Sequence, residues 1–273
     1  MVIPSKRTRT IDQEETRTAS ALSKQGAAEL QGSDMSDLLQ KAIDNHVGLY
    51  RTILSHLGID WRIEPDLAYT GEKAPPYYSN AVSRSEQWRP DQRFQRIAEA
   101  ATANGWTDWS IKDSNDVLDL APLGFGRLLR ASWIHLDAAR LQPISHDLRF
   151  ELVAEEEGLV RWRAAWDPDL QLGQLLFGPE LLNDPDLAFV AGYDGDRLVC
   201  GCLVNRTGDV LGVSNFFVSG EPRARWAAMV SFIIGRLGRT SLVGYARNAP
   251  LADLQAIGFE PIGSLSVWHC PAA

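Results

Sequence analysis

Three cysteines, Cys200, Cys202 and Cys270, are all the chain contains, and an odd number without framework spacing excludes a disulfide scaffold and fits a reducing compartment. No run of Lys or Arg appears after residue 10, and 27 basic against 35 acidic residues leave a net charge of −8. Binding to nucleic acid by counterion release needs a clustered basic face, so DNA and tRNA are poor partners. The longest apolar run, near Ala227–Gly235, is about half of the roughly 20 residues that cross a bilayer, and the N-terminus lacks the apolar centre of a signal peptide. No membrane partner is expected, and the cytoplasm is the expected compartment. No Ser-His-Asp order, GxGxxG after a strand or Walker loop is present. What is there is 273 residues at 45% apolar content, enough for one large or two small domains with real cores.

Residues 1–34 are rich in Ser, Thr, Gln and charge, carry no aromatic residue, and read as a disordered tail; Met35 offers an alternative start. Ser36 then caps an expected helix, Asp37–Leu57, whose apolar residues recur at helical spacing. Ile59–Thr70 reads as a strand pair or loop, Tyr77–Ser85 as a strand, Asp91–Asn104 as a helix closed by Gly105, and Trp106–Lys112 as a strand. Ser114–Leu123 reads as helical and Leu128–Leu136 as a strand, and the segment 137–147, with Pro143, is the best linker. Beyond it, strand Arg149–Ala154 leads into an acidic helix start at Glu155–Glu157 and then three antiparallel strands, Leu187–Tyr193, Arg197–Arg206 and Val210–Val218. Helix Pro222–Leu237, strand Ser241–Tyr245, helix Pro250–Ile257 and strand Ile262–Trp268 follow.

The halves share an ordered set of features. DLAPLGF at 119–125 matches DLQAIGF at 253–259, each followed by a strand, and Ser79-Asn80 matches Ser214-Asn215. Asn80 to Trp133 (133 − 80 = 53) equals Asn215 to Trp268 (268 − 215 = 53) in length. The pattern favours a tandem duplication of one α/β unit. The alternative is that Gly-Phe merely ends a helix twice, with the glycine left-handed and the Phe stapling the exit.

On these elements and the terminal Ile257-Gly258-Phe259, residues 149–269 resemble the GNAT family of acyl-CoA-dependent N-acyltransferases. The resemblance implies a mixed α/β (α+β) fold of two GNAT-like halves: a degenerate one at 35–140 and a better preserved one at 148–273. It also implies a sheet that splays open beside its central strand to hold the pantetheine arm, with pyrophosphate on the next helix start. Carried over, Val213, Ser214, Asn215, Phe216, Phe217 and Val218 line the arm of acetyl-CoA or another acyl-CoA, and Ser219–Arg225 forms the phosphate loop. That loop reads SGEPRARW, with Gly220 alone where the family has a glycine-rich turn, so Arg223 and Arg225 are its candidate phosphate contacts, or else solvated arginines. The family's proton-donor tyrosine is replaced by Leu254, and by Leu120 in the first half. Tyr245 is the nearest alternative hydroxyl for catalysis, with wet packing as its other reading.

Tyr77, Tyr78 and Asn80 are candidates for the substrate cleft, where the first half faces the second. Trp88, Trp106, Trp109, Trp162, Trp166 and Trp226 either line such a cleft or, for most, fill cores. Cys200 and Cys202 read as buried thiols, and the five histidines form no metal pairing with them, so no metal is expected; His46 and His56 read as surface or partly buried. Glu155–Glu157 offers a base for the acceptor amine or, more simply, a solvated helix start. The expected function is acyl transfer to a small-molecule amine, with a homodimer left open. The rivals are a catalytically silent GNAT-fold protein binding a metabolite or partner, and a tRNA-dependent aminoacyl transferase, which the net charge disfavours.

Overall fold

The computed structural model describes the backbone of residues 11–271, apart from Thr107, Arg140, Gln142, Pro143, Ser145, Leu170 and Gln171, and side chains within 34–270. Two units divide the chain, Met1–Leu38 and Leu39–Ala273. Helix α1 (Ile11–His56) begins within the 1–34 segment expected as a tail and runs through the expected helix Asp37–Leu57, so Ser36 is an interior residue rather than a cap.

The second unit holds eleven strands in one mixed sheet. They are β1 (Arg62–Ile63), β2 (Leu67–Tyr69), β3 (Ala81–Ser83), β4 (Asp108–Asp113), β5 (Gly126–Leu136), β6 (Arg149–Leu152), β7 (Leu187–Asp194), β8 (Arg197–Thr207), β9 (Val210–Val218), β10 (Ser241–Ala246) and β11 (Glu260–Pro271). The helices are α2 (Gln92–Ala103), α3 (Glu156–Trp166), α4 (Leu172–Leu176), α5 (Pro222–Leu237) and α6 (Asn248–Ala256). Among the described residues no helix is long and apolar enough to cross a membrane.

Strand alternation sorts the core into layers. Val190, Cys202 and Val204 pack with α5, whereas Phe189, Ala191 and Leu203 pack on the other face with α3 and with Leu49 and Ile53 of α1. In the first half, Ala81 and Ile111 pack with α2, while Ala68 and Val82 meet Val47, Tyr50 and Leu54 of α1. Helix α1 therefore straddles both halves on one face of the sheet.

Strand order runs β1-β2-β3-β4-β11-β5-β10-β9-β8-β7-β6, so the last strand of each half is inserted beside the other half. β11 pairs with β4, β5 pairs with β10, and β5 and β11 pair with each other. The two matched Leu-x-x-x-Gly-Phe turns lie 134 residues apart (254 − 120 = 134) and make the same closing bonds, Phe125 N to Leu120 O and Phe259 N to Leu254 O. Their glycines, Gly124 at φ +86° and Gly258 at φ +106°, occupy backbone that side chains resist. The β5–β11 register repeats at the same interval: Gly126 faces His269 as Glu260 faces His135, and Ala131 faces Leu265 on the local dyad. The bulged residues, Leu128 and Ile262, are equivalent as well (262 − 128 = 134). By this register the counterpart of Trp133 is Val267, one place from the expected Trp268.

Two elements differ from expectation. Ser114–Leu123 is not a helix: the Asp113 carboxylate accepts from the Asn115 and Leu118 amides, which holds a loop, and Pro122 leaves only a short 3₁₀ turn, Ala121–Leu123. The expected strand Tyr77–Ser85 shrinks to β3, because Pro75-Pro76 sets a turn that puts Tyr77 at φ +70°.

Because the sheet of each half is completed by the final strand of the other, chains 35–147 and 148–273 expressed alone should show no cooperative thermal transition by circular dichroism, and mixing them should restore one. Cooperative unfolding of each piece alone, unchanged on mixing, would refute this mutual dependence.

Candidate active site

Parallel strands β9 and β10 pair at Val210/Ser241, Leu211/Leu242 and Gly212/Val243, and pairing then ends. On its other edge β9 stays bonded to β8 through a bulge: Leu203 faces Ser214 and Gly201 faces Phe217, with Asn215 at φ +51° in the extra turn of chain. Gly244 lets the Val213 carbonyl lie close, since a Cβ there would stand 2.8 Å from it. Past this point the strands diverge around a cavity of about 180 Å³. Its walls include Val213–Phe216 of β9, Val243–Tyr245 of β10 and Trp133 of β5, with Asn45, His46 and Tyr50 of α1 above.

Two buried asparagines fix α1 to the sheet here. Asn45 Nδ2 donates to the Asn205 carbonyl at 3.1 Å, and Asn205 Nδ2 donates to the Asn45 carbonyl at 3.0 Å. This reciprocity turns both Oδ1 atoms toward Gly212, where any Cβ would overlap them.

Beside the cavity lies Lys112 of β4, only 2% exposed. Its ammonium sits 2.7 Å from His46 Nε2, donates to the Tyr245 hydroxyl at 3.3 Å, and lies 4.5 Å from the Tyr245 ring centre and 5.3 Å from that of Tyr50. Burial disfavours this ammonium, but the phenol groups of Tyr245 and Tyr50 more than offset it, so its pKa stays above the free value. Burial first, and the Lys112 charge second, push His46 well below 6.5. At neutral pH His46 is thus an uncharged acceptor. Burial also pushes the Tyr78 hydroxyl well above 10.

The expected residues Val213, Ser214, Asn215, Phe216, Tyr77, Tyr78 and Tyr245 all border the 180 Å³ cavity. Phe217 instead packs on Trp162 at 5.4 Å, and Val218 joins the α5 core. Asn80 is buried and borders a neighbouring cavity with Lys112 and Tyr245. The expected equivalence of Asn80 with Asn215 does not hold, because the backbone N–H of Asn80 donates to the Ser110 carbonyl at the paired end of β3–β4 while Asn215 lies in the bulge. Trp88, Trp162 and Trp226 are core, Trp106 packs partly buried against the α2 core, Trp109 is buried and borders the neighbouring cavity, Trp166 borders an outer recess with Tyr77, and Trp133 borders the 180 Å³ cavity. Glu155–Glu157 is exposed, with Glu157 paired to Arg161. Cys200 and Cys202 are buried, and burial raises Cys200 to about 11. No cluster of metal-binding side chains occurs among the described residues.

His46, expected at the surface or partly buried, is 9% exposed and borders the cavity, as do Asn45 and Asn205, and Lys112 touches both His46 and Tyr245 beside it; sequence reasoning passed over Asn45, Lys112 and Asn205. One signal was available: Asn45 and His46 interrupt the apolar stripe of α1 between Ala42 and Tyr50.

At the expected phosphate end, α5 begins with Pro222, which lacks an N–H, preceded by Glu221, whose side chain caps nothing. Arg225 folds over Gly220, donates to Ser219 Oγ at 3.2 Å and lies 3.8 Å from Asp194. Arg223 is exposed, 3.6 Å from Asp253. The β10-facing edge of β9 beyond Gly212 offers unpaired peptide groups, whereas the loop offers arginine side chains in place of a glycine-rich ring of amides.

Gly212→Ala should lower stability by about 1–3 kcal/mol, since the locked asparagines have nowhere to move; a denaturant midpoint equal to that of the wild type would contradict the packing. The depressed His46 pKa gives a second expectation. The unfolded chain takes up this proton first, so stability falls as pH drops below about 6.5 and is regained as pH rises. His46→Gln should show a smaller stability difference between about pH 7 and pH 5, measured by urea melts.

No protein-family model matches the chain, and no curated protein matches it in sequence. Solved structures do match in fold. A conserved protein of unknown function from Staphylococcus epidermidis superposes with a TM-score of 0.63 at 12% identity, covering 81% of this chain and 98% of its own. A GCN5-related N-acetyltransferase from Kribbella flavida gives 0.61 at 15% identity, covering 85% and 96%. A tandem GNAT protein from the clavulanic acid biosynthesis pathway gives 0.50 at 13%, covering 71% and 75%. With the splayed parallel strands, the bulge and the two matched Gly-Phe turns, these likenesses show that the chain has the GNAT N-acetyltransferase fold, built as two similar halves.

Proposed function

We propose that the protein is an acyl-CoA-dependent N-acyltransferase acting on a small-molecule amine. The observation that carries this reading is the slot between β9 and β10, where the β10-facing edge of β9 beyond Gly212 has no strand partner. Its peptide groups are suited to bond the amides of a pantetheine arm, and an N–H aimed at the thioester carbonyl would polarise it. Transfer forms a bond from the amine nitrogen to the carbonyl carbon and breaks the carbon–sulfur bond. The nitrogen sheds a proton and the thiolate gains one. Tyr245 borders the slot with its hydroxyl oxygen already accepting from Lys112, which leaves its own proton free to give to the thiolate. The nearby ammonium stabilises the phenolate that results.

A second reading, a catalytically silent protein that binds a metabolite, is favoured by Glu221 and Pro222 at the start of α5, which disfavour an anion there.

Calorimetry separates the two. Acetyl-CoA should give a saturable heat with the folded wild type, and Tyr245→Phe should keep that affinity while slowing amine-dependent thiol release by about 10²-fold. The absence of heat at millimolar acetyl-CoA would remove the transferase reading. Unchanged affinity in Arg223→Ala and Arg225→Ala would show that neither arginine holds the pyrophosphate.

A further inference from the structure

Beside the thioester slot, in the first half, lies a second cavity of about 420 Å³ bordered by Ser79, Asn80, Ser110, Lys112, Tyr245 and His269. It stands where the dyad places the counterpart of the slot, since Lys112 pairs with Val267 as Tyr245 pairs with Trp133. It cannot serve as a second slot. The parallel strands here stay paired at Ala81/Ile111 and Val82/Lys112, two residues beyond the level at which β9 and β10 part. The start of α2, where a pyrophosphate would sit, is already filled by the Asp91 carboxylate, which accepts from the Arg93 and Phe94 amides. The cavity is therefore free for another ligand, and it shares Tyr245 with the slot.

Its charge indicates what kind. The polar contacts of Lys112 are His46, Tyr245 and Tyr50, none of them a carboxylate, and His46 is neutral at neutral pH. At the rim, Asp108 is engaged by Lys73 at 3.1 Å. One positive charge thus stands buried beside both cavities with no carboxylate among its described contacts, in surroundings where an entering anion would gain most. The neighbouring hydroxyl and amide groups of Ser79, Ser110 and Asn80 suit a small polar molecule.

We infer that the 420 Å³ cavity is the acceptor site and that its substrate is an amino carboxylate, whose carboxylate pairs with Lys112 while its amine reaches the thioester at Tyr245. The carboxylate assignment rests on the cavity and Lys112, and the acceptor role rests on the transferase reading above. The distance of 3.3 Å from Lys112 Nζ to the Tyr245 hydroxyl keeps the charge and the reacting nitrogen within the length of one small molecule.

The test uses the full chain with glycine, β-alanine, 4-aminobutanoate and phenylalanine, each beside its carboxamide, titrated by calorimetry without acyl-CoA. At least one carboxylate should bind about tenfold tighter than its carboxamide, and Lys112→Met should erase the preference while Lys112→Arg retains it. In native protein labelled with ¹⁵N-lysine, the Lys112 ammonium signal should move with the carboxylate and not with the carboxamide, a readout that needs no variant to fold. Equal binding of the paired probes, no binding of any carboxylate, or a preference that survives Lys112→Met would each overturn the inference. Acetyl-CoA titration of the same sample keeps the outcomes apart: lost carboxylate preference with acetyl-CoA binding intact refutes the amino-carboxylate assignment alone, and carboxylate binding without acetyl-CoA heat refutes the transferase reading, and with it the acceptor role, while the carboxylate site stands.

Discussion

The hydrogen bonds between β9 and β10 end at Gly212 and Val243, and the rest of the site is arranged around that ending. Peptide groups in a sheet interior are bonded or solvated, because an orphaned buried donor costs about as much as the bond it forgoes. A break in a parallel pair therefore persists only where something keeps the strands apart and leaves the freed edge reachable. Three features do so here. The bulge at Asn215 takes up an extra residue and turns β9 aside. Gly244 accepts the Val213 carbonyl at the fork. The Asn45–Asn205 exchange anchors α1 above Gly212, so the helix borders the opening without filling it.

The exchange of final strands explains why two similar halves make one site. Pairing of β5 with β11 about Ala131 and Leu265 places a pseudo-dyad in the middle of the sheet, and Lys112 and Tyr245, which pair with the dyad-related Val267 and Trp133, meet each other. A duplicated unit with private strands would leave these positions in separate sheets. The halves diverge at the point where a slot needs to open. The first stays zipped through Lys112 and closes its helix start with Asp91, while the second parts after Val243. Symmetry of the frame with asymmetry at the dyad gives two unlike cavities that share Tyr77, Tyr78 and Tyr245.

Much of this frame is legible in the residues. Helix α5 is read to the residue at Pro222–Leu237, because proline at the first turn and a glycine after the last mark both ends. The Gly-Phe turns are legible because Gly124 and Gly258 need left-handed backbone. Strand neighbours were not, since alternation tells which face a residue takes and is silent on which strand lies alongside; β11 beside β4 is a property of register alone. The site is legible where it is backbone, at Val213–Phe216, and hidden where it is side chain. Lys112 ends the expected strand Trp106–Lys112 with no spacing that marks it as buried, and His46, read as surface or partly buried, carries no signal beyond its break in the α1 stripe. Only the fold of α1 over both halves puts them together.

Lys112 is also the hardest residue to account for on stability alone. Taking an ammonium from water into a protein interior costs on the order of several kcal/mol, and no carboxylate among its contacts returns that as a Coulomb term. Hydrogen bonds to His46 and Tyr245 and the faces of two phenol rings stand against that cost, and the balance keeps the charged form. A methionine of similar length would fill the space among Tyr50, Tyr245 and Val82 without the cost, and would remove the need for His46 to stay neutral in the acid range. His46 then has two burdens, since burial and the adjacent charge both act against its protonation. From one side the ammonium donates to the Tyr245 oxygen, and from the other it faces a cavity of about 420 Å³ whose described walls supply hydroxyls and amides, with the one lining carboxylate among the described residues, Asp108, held by Lys73.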